Sequence, residues 1–376
     1  MTRVACQPYD RSMQLSSTLS WLVDAAGETP GADRLLAELG AHLVEDGVPL
    51  AGGALTLAVP HPLIARRTWL WRAGSGEVIE ALGFVPGGPA AAREAGPSND
   101  AGRRWLAGIA AGLVHEDIVG PRPEGPSLSW IGPRQFTLDE TNELRQAARF
   151  AAAPLAVLAA RGTLTATLEA YLGRRSAARV LAGPLRREVG ETIQAALLYA
   201  DLRGFTALSE SNPPCVVISA LDAWFDRIAG AVHAFGGEVL KFIGDGVLAI
   251  FPVVGEAPRG ACDAALRAVS AARAGMTHLD QERHRQGLPP LPFGAALHLG
   301  EMLWGNIGAA DRLDFTAIGP AVNLVSRLEG LCRPLQKAVL VSGALAAETE
   351  APLIALGTHA LRGIASPCTV FTLPEN

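Results

Sequence analysis

The sequence is poor in lysine, and this shortage limits the chemistry open to it. Of its 376 residues, 32 are Lys or Arg, and only Lys241 and Lys337 are lysine. With 37 acidic residues the net charge is -5, so the chain lacks the overall basic character of nucleic-acid-binding proteins and we expect no nucleic-acid partner. Only 18% of residues are charged and 49% are apolar, a balance that excludes wholesale disorder and predicts a sizeable core.

Motifs of paired cysteines and signal segments are also missing. The five cysteines are widely separated, and no CxxC pair occurs, so neither a zinc knuckle nor a disulfide framework is readable: Cys6, Cys215, Cys262, Cys332 and Cys368. The first residues carry no apolar signal core. The longest uncharged stretch, residues 47–65, is interrupted by three prolines and predicts loop and strand rather than a membrane span. We therefore expect a cytoplasmic protein with reduced thiols and no membrane partner.

Length and hydrophobic pattern divide the chain into three predicted segments. At roughly 150 residues per domain, 376 residues correspond to two or three domains. Residues 1–160 hold five of the seven tryptophans and form an N-terminal region. Residues 161–190 form a helical connector whose arginines predict a solvated basic face: Arg174, Arg175, Arg179, Arg186 and Arg187. Residues 191–376 form a second domain.

The N-terminal region mixes helical and strand patterns. ALTLAVP, RTWLWRA and SLSWIG alternate like strands, and the Gly, Ala and Pro-rich residues 84–102 predict a mobile loop. FTLDETNELRQAARF starts a helix with Thr137 as N-cap and Glu140 completing a capping box, and this helix continues into the connector with an interruption at Pro154. In ADRLLAELGAHLVEDG, one helical face is lined by Leu35, Leu36, Leu39 and Leu43.

The second domain begins near Gly190 and alternates strands with helices. A strand pattern covers residues 195–200, and strand pairs cover 238–251 and 293–307. Helical patterns cover residues 214–235, 257–277 and 320–331. Strand runs mixed with helices predict an α+β fold, a sheet with helices packed on one face.

The first segment suited to chemistry is LLYADLRGFTAL. An apolar strand ends at Asp201 and is followed by Gly204, Phe205 and Thr206. A carboxylate at a strand end, beside a turn with free backbone N–H groups, suits a divalent cation that carries a phosphate. An Asp that only caps a turn explains the same pattern, and for this segment alone it is the favoured interpretation.

The second segment is GGEVLKFIGDGVLAIFP. Asp245 lies in an Asp-Gly turn between two apolar strands. This pattern is a strong hairpin signal, so the presence of Asp245 can be explained without a functional role. Lys241 is inside an otherwise apolar strand, where burying an ammonium group costs free energy unless the group is paired. A surface lysine whose stem covers apolar neighbours is the alternative, and the residues alone do not decide between the two.

The third segment is RLDFTAIGPAVNLVSRLEGL, in which Pro320 fits the first turn of a helix. Asn323 and Arg327 are four residues apart and can reach one common target. An amide and a guanidinium suit a sugar and a phosphate, although an exposed polar face explains an isolated helix equally simply. The sequence contains no P-loop, GxGxxG after a strand, HExxH or GxSxG motif, and its eight histidines are dispersed.

Together these segments resemble the catalytic domain of class III nucleotidyl cyclases, which form cyclic AMP or cyclic GMP from the triphosphate. The signatures ADLRGFTAL, GGEVLKFIGDGVLAIF, LHLGEMLWGNIG and DFTAIGPAVNLVSRLE occur in the family's order across residues 191–373, about half of the chain. The resemblance implies a ferredoxin-like domain with a central, mostly antiparallel sheet. It also implies a head-to-tail homodimer, in which the metal-binding aspartates and the base-reading residues of one site come from different subunits.

The resemblance implies metal-binding and base-reading roles. Asp201 and Asp245 would hold two Mg²⁺ or Mn²⁺ ions, Lys241 would read the adenine ring, and Thr316 would occupy the second base-reading position. Many relatives carry Asp where this chain has Thr316, and the combination of Lys with Thr resembles the subgroup that includes bicarbonate-stimulated adenylyl cyclases. A donor to ring N1 and an acceptor for the exocyclic amine favour adenine, whereas guanine needs the opposite pattern.

The same resemblance implies roles in binding and in the reaction itself. Asn323 would orient the ribose, and Arg327 would stabilise charge on the phosphoryl oxygens in the transition state. Arg362 lies where relatives often place a phosphate-binding Lys, a change that keeps the charge but not the geometry. Arg312 is a weaker phosphate candidate, and the substrate would also contact Gly204, Phe205 and Thr206.

The N-terminal region has an order of helix, strands, loop, strand and long helix that resembles an α/β GAF-type sensor. Its expected partner is a small molecule that regulates the catalytic domain, and the alternative is a dimerisation scaffold with no ligand.

The favoured function of the whole chain is an adenylate cyclase that forms 3′,5′-cyclic AMP and pyrophosphate from ATP. The alternatives are a guanylate cyclase and a catalytically silent nucleotide-binding scaffold.

Overall fold

The computed structural model describes residues 15–58, 64–84, 100–122, 125–183, 190–255, 257–309 and 311–374. The chain forms two compact units, Met1–Leu164 and Thr165–Asn376. The domain boundaries at residues 160 and 190 stay predictions. The predicted loop over residues 84–102 and the arginines at 186 and 187 lie largely or wholly outside the described residues.

The first unit is built around a five-stranded antiparallel sheet. Its strand order is β3-β2-β1-β5-β4, and its strands are β1 Gly52–Ala58, β2 Ile64–Arg72, β3 Val78–Phe84, β4 His115–Ile118 and β5 Ser127–Ile131. Its helices are α1 Ser17–Asp24, α2 Ala32–Glu45, α3 Asp100–Ala107 and α4 Leu138–Phe150, and α5 Ala152–Leu172 leads into the second unit. The α/β description is therefore wrong for this unit: β1, β2 and β3 follow one another as hairpins, which gives antiparallel pairs and an α+β arrangement.

The core of the first unit confirms the helical pattern read from the sequence. The four leucines of α2 are fully buried, as is Trp130 of β5: Leu35, Leu36, Leu39 and Leu43. Thr137 accepts a hydrogen bond from the Glu140 N–H at 3.2 Å, and the Glu140 carboxylate accepts one from the Thr137 N–H at 2.7 Å, so the capping box is present. The helix breaks at Ala151 rather than at Pro154, because Pro154 lies in the first turn of α5, where N–H groups lack helical partners anyway.

The helical stretch Leu138–Leu172 is long and apolar enough, by length and composition alone, to cross a membrane. Only 17% of its most apolar window is buried, and a single stretch of this kind in the described residues is weak support for a span. The absence of a membrane partner and the cytoplasmic location therefore stay predictions.

The second unit contains an eight-stranded, mostly antiparallel sheet. Its strand order is β12-β13-β11-β9-β6-β8-β7, with β10 paired to β9 and only β11 parallel to its neighbour β9. The strands are β6 Glu191–Leu202, β7 Glu238–Ile243, β8 Gly246–Pro252, β9 Phe293–Gly308, β10 Leu313–Ile318, β11 Val339–Ser342, β12 Ile354–His359 and β13 Cys368–Thr372. The helices are α6 Arg174–Ala182, α7 Phe205–Ser211, α8 Pro214–Ala234, α9 Arg259–Arg285, α10 Pro320–Glu329 and α11 Gly343–Ala346.

Helices cover both faces of this sheet, so the expectation of helices on one face is wrong. Alternate residues of β6 point to opposite faces: Leu198 packs in one core with α8 and α9, and Leu197 packs in another core with α10. The predicted strand pair over residues 293–307 is also wrong, since β9 is one continuous strand of 16 residues. It pairs with β6, β11 and β10 along its length, which accounts for its unbroken apolar pattern.

Candidate active site

Asp201 and Asp245 lie side by side at one end of the central sheet. Asp201 is near the end of β6, and Asp245 is in the turn between β7 and β8. Because β6 pairs directly with β8, with Ala200 opposite Val247, the strand end and the turn are neighbours. The turn is held by Trp224 of α8, whose indole N–H donates to the backbone oxygen of Asp245 at 2.9 Å.

The two carboxyl groups are close enough to share a hydrogen bond. Burial, that hydrogen bond and the charge of Asp245 raise the pKa of Asp201 to about 7. The Asp201 Oδ1 atom is buried and has no hydrogen-bond partner within the described residues. A pair of adjacent, partly buried carboxylates with an unsatisfied oxygen suits hard divalent cations, which prefer oxygen ligands. The described residues contain no group of three or more His, Cys, Asp or Glu arranged as a complete metal site.

Further ionisable groups around Asp201 were missed by sequence reasoning. The Glu329 carboxyl, at the end of α10, packs over Gly294, the residue opposite Asp201 in the β6–β9 register. Burial raises the pKa of Glu329, and the nearby Arg203 guanidinium opposes this shift. Arg203 donates to the backbone oxygen of Lys337 at 2.6 Å. No sequence signal links these groups, because β9 and α10 bring them together only in the folded domain.

Tyr199 packs beneath the Asp245 turn. A Cβ atom added at Gly246 would lie 2.7 Å from the Tyr199 hydroxyl oxygen, so a larger residue at this position would have to displace the Tyr199 ring. Burial, together with the charges of Asp201, Glu329 and Asp245, raises the pKa of Tyr199 to about 12. The phenol therefore stays protonated next to the acidic pair and can serve as a hydrogen-bond donor.

Lys241 and Thr316 lie on two strands that approach each other at the same sheet edge. Lys241 belongs to β7 and forms an ion pair with Asp314 of β10, an acid that the sequence analysis did not single out. Thr316 is two residues further along β10 and therefore on the same strand face as Asp314. The Lys241 side chain is 39% exposed, which agrees with the surface-lysine alternative, and its ammonium group is paired with Asp314.

Asn323 and Arg327 occupy the exposed face of α10. The helix follows Gly319 and has Pro320 in its first turn, and its apolar face buries Val325 and Leu328. Neither the Asn323 amide nor the Arg327 guanidinium contacts another side chain through a hydrogen bond or ion pair within the described part of the chain. The two groups are thus available to one ligand on the outside of the helix.

The remaining candidates are distributed around the sheet. Gly204 adopts a left-handed conformation (φ 77°) just after the Asp201 strand, and α7 starts at Phe205 with Thr206 exposed. Arg312 is in the exposed turn between β9 and β10, and Arg362 is exposed in the loop between β12 and β13. The structure shows no contact of Arg312 or Arg362 with the Asp201–Asp245 pair among the described residues.

Comparison with known proteins shows that the second half of the chain is similar to one family. Residues 188–359 match the family model described as "Adenylate and Guanylate cyclase catalytic domain". An adenylate cyclase of Anabaena cylindrica is 31% identical over 171 residues, which are 44% of this chain and 33% of that protein. Adenylate cyclase 1 of Rhizobium meliloti is 32% identical over 153 residues, which are 41% of this chain and 23% of that protein. The chain thus spans a third or less of the length of these relatives.

A solved structure shares the fold over a longer part of the chain. A bacterial light-regulated adenylyl cyclase superimposes with a TM-score of 0.50 and 22% identity, covering 69% of this chain and 84% of the other. At this identity the likeness concerns the fold alone.

Proposed function

We propose that the chain is a class III adenylate cyclase regulated by its N-terminal region, because residues 188–359 match the model of the adenylate and guanylate cyclase catalytic domain. It would convert ATP into 3′,5′-cyclic AMP and pyrophosphate. The observation that carries the proposal is the contact between the Asp201 and Asp245 carboxyl groups, where the end of β6 meets the turn between β7 and β8.

Asp201 and Asp245 would hold the two Mg²⁺ or Mn²⁺ ions that the reaction needs. The unsatisfied, buried Oδ1 atom of Asp201 and the shared hydrogen bond of the two carboxyls support this assignment, because cations would replace the proton between them. When bound, such ions would lower the pKa of the ribose 3′-hydroxyl and neutralise the charge of the pyrophosphate leaving group. Trp224 would keep Asp245 in position through its hydrogen bond to the turn.

The base and the reacting phosphate would be handled by the exposed groups of β7, β10 and α10. Lys241 would donate to adenine N1, and the Thr316 hydroxyl would accept from the exocyclic amine. Asn323 would orient the ribose, and Arg327 would bind the phosphoryl oxygens as negative charge gathers on them. Arg362 and Arg312 would contact the polyphosphate, with the Gly204–Thr206 turn beside it. The exposure of Asn323, Arg327, Arg312 and Arg362 supports their assignments, since these side chains are open to a ligand.

The site would be completed in a head-to-tail homodimer. Asp201 and Asp245 of one subunit would face Lys241, Asn323 and Arg327 of the other, giving two equivalent sites. Large apolar side chains on the strands that present Lys241 and Thr316 support an interface there: Phe242 and Ile243 are each 49% exposed, and Ile318 is 45% exposed.

A product assay tests the function directly. The purified chain, incubated separately with ATP and with GTP in the presence of Mn²⁺, is expected to form cyclic AMP at a rate at least about tenfold above that of cyclic GMP, because the donor and acceptor pattern of Lys241 and Thr316 matches adenine. Preferential formation of cyclic GMP would show a guanylate cyclase. Nucleotide binding without either product would show a silent scaffold.

Regulation would pass through helix α6, which precedes the catalytic sheet. The N-terminal region would be a GAF-like sensor; its antiparallel five-stranded sheet, flanked by helices, supports this assignment. Glu238, the first residue of β7, is 7% exposed, and its carboxylate accepts backbone N–H bonds from Arg175 at 3.1 Å and Ser176 at 3.3 Å. The same strand carries Lys241, so a shift of α6 would be transmitted to the base-reading edge.

Replacing Glu238 by Gln tests this route. The amide keeps the shape but weakens two charge-assisted bonds to the start of α6, so kcat/KM for ATP is expected to fall about fivefold or more as β7 loses its anchor. The matched control is Glu191→Gln, which removes the ion pair between Glu191 of β6 and Arg179 of α6. The Glu191 and Arg179 side chains are 54% and 50% exposed, so the loss of this pair should have little effect. Equal kinetics for the two variants would contradict the proposed route.

A further inference from the structure

The first unit contains a cavity of about 560 Å³ at one edge of its sheet, and the proposed reaction does not involve it. Its strand wall is β4, the last strand in the order β3-β2-β1-β5-β4, and its helix wall is α4. The polar residues that line the cavity are Asp117 of β4 and Asn142, Arg145, Gln146 and Arg149 of α4. The volume is within the range of small-molecule sites, about 300–1,000 Å³.

The helix wall carries two guanidinium groups one turn apart. Arg145 and Arg149 are four residues apart on α4, so both side chains can reach the same group of a ligand. Both are exposed, and neither forms an ion pair within the part of the chain that the structure describes. The Arg145 guanidinium donates to the side-chain oxygen of Asn142 at 3.2 Å, and this acceptor is neutral. Two adjacent cations without an acidic partner repel each other unless an anion binds between them.

The strand wall presents a carboxylate that is paired with an imidazole. Asp117 and His115 are two residues apart on β4, so they lie on the same strand face, and their side chains form a hydrogen bond at 2.7 Å. Glu116, between them, lies on the opposite face, where it pairs with Arg103 of α3. Among the described residues, Asp117 forms no ion pair with either arginine of α4. The cavity therefore separates one anionic group from two cationic groups.

We propose that this cavity binds a small organic anion, a carboxylate or a phosphate, that also carries an ammonium or hydroxyl donor. Arg145 and Arg149 grip the anionic group, because the guanidinium fork matches the oxygens of a carboxylate or phosphate. Asp117 accepts a hydrogen bond from the donor at the other end of the ligand, and the amides of Asn142 and Gln146 bind between the two ends. Two guanidiniums outnumber one carboxylate, so a ligand with a net negative charge balances the site.

The cavity also reaches the break between α4 and α5. Ala152, the first residue of α5, lines it together with Ala148 of α4. A ligand in the cavity therefore contacts the helices on both sides of Ala151, where the helix breaks. Binding here is a property of the first unit and holds whether or not the second unit is a cyclase.

Isothermal titration calorimetry on the full chain tests the site with three probes. L-glutamate carries carboxylates and an ammonium group, glycerol 3-phosphate carries a phosphate and hydroxyl groups, and inorganic phosphate has no donor apart from the anion itself. One of the two organic probes is expected to bind more tightly than inorganic phosphate, and its identity shows which anionic group the site takes. Arg145→Gln and Arg149→Gln are each expected to raise its Kd about tenfold, because each removes a charge-assisted hydrogen bond. The melting temperature should stay within about 1 °C of the wild type, because both side chains are exposed.

Asp117→Asn tests the other end of the ligand. This variant is expected to raise the Kd for the organic probe about fivefold, because the donor loses its anionic acceptor. The Kd for inorganic phosphate is expected to stay the same or to fall, since the carboxylate repels a bare anion. The matched control is Arg34→Gln, because Arg34 is an exposed arginine of α2 that does not line the cavity.

Three results would overturn the inference. The first is equal losses of affinity in Arg34→Gln and Arg149→Gln, which would show a general effect of charge. The second is a Kd for the organic probe that Asp117→Asn leaves unchanged. The third is the absence of binding by both L-glutamate and glycerol 3-phosphate at millimolar concentrations.

Discussion

Substitution of either Asp201 or Asp245 by Asn is expected to reduce cyclic AMP formation by at least about 10³-fold. An amide carries no negative charge, so it cannot balance a divalent cation, and its N–H group would instead donate a hydrogen bond to the remaining carboxylate. The change keeps the size of each side chain, and the 2.9 Å bond from Trp224 goes to the backbone of Asp245, so the fold should be retained. Steady-state rates with Mn²⁺-ATP and circular dichroism spectra measure the two effects.

The matched control for these variants is Glu350→Gln. Glu350 precedes β12 at the sheet edge opposite to β7, and it is an exposed acid paired with Arg259 at 2.8 Å. Removing its charge should leave the rate within about twofold. Wild-type turnover by either Asp variant would show that the two carboxylates do not hold the catalytic ions.

Local pattern predicted the elements that carry the site. The Asp-Gly signal gave the hairpin around Asp245, and the apolar run before Asp201 gave the core of β6, because turn chemistry and strand alternation are properties of short segments. Pro320 likewise marked the start of α10. That Asp201 and Asp245 share a site came from the resemblance to a family, since spacing in the chain gives no measure of distance in a folded sheet.

The contacts between distant segments could not be predicted in this way. The sequence shows Asp314 as one of many exposed acids, and only the position of β10 beside β7 makes it the partner of Lys241. Glu238 reads as an ordinary residue at a strand start, yet it caps α6 because Gly173, with φ 80°, lets the chain pass close to its carboxylate. The covering of both sheet faces was missed for a related reason: α10 was recognised as a helix, but the face that it covers depends on the order of the strands.

Mixing two inactive variants is expected to restore activity, which is the sharpest test of the head-to-tail homodimer. Asp201→Asn removes the metal side of a site, and Arg327→Ala removes the phosphoryl side, so each homodimer should have two broken sites. In an equimolar mixture that exchanges subunits freely, half of the dimers combine both variants. Each mixed dimer has one site with both lesions and one site with neither, so the mixture should reach about a quarter of wild-type activity.

A second mixture, of two variants that damage the same half of the site, is the control for this complementation. Asp201→Asn and Asp245→Asn would damage the same half of each site, so every dimer formed from these two variants has only broken sites and their mixture should stay inactive. Recovery in this second mixture would point to refolding or exchange artefacts rather than to shared sites. No recovery in the first mixture, with subunit exchange verified by native mass spectrometry, would place Asp201 and Arg327 in one subunit's site. Recovery confined to the first mixture would assign the acidic pair and the arginine to opposite subunits, because no other arrangement produces an intact site from two damaged chains.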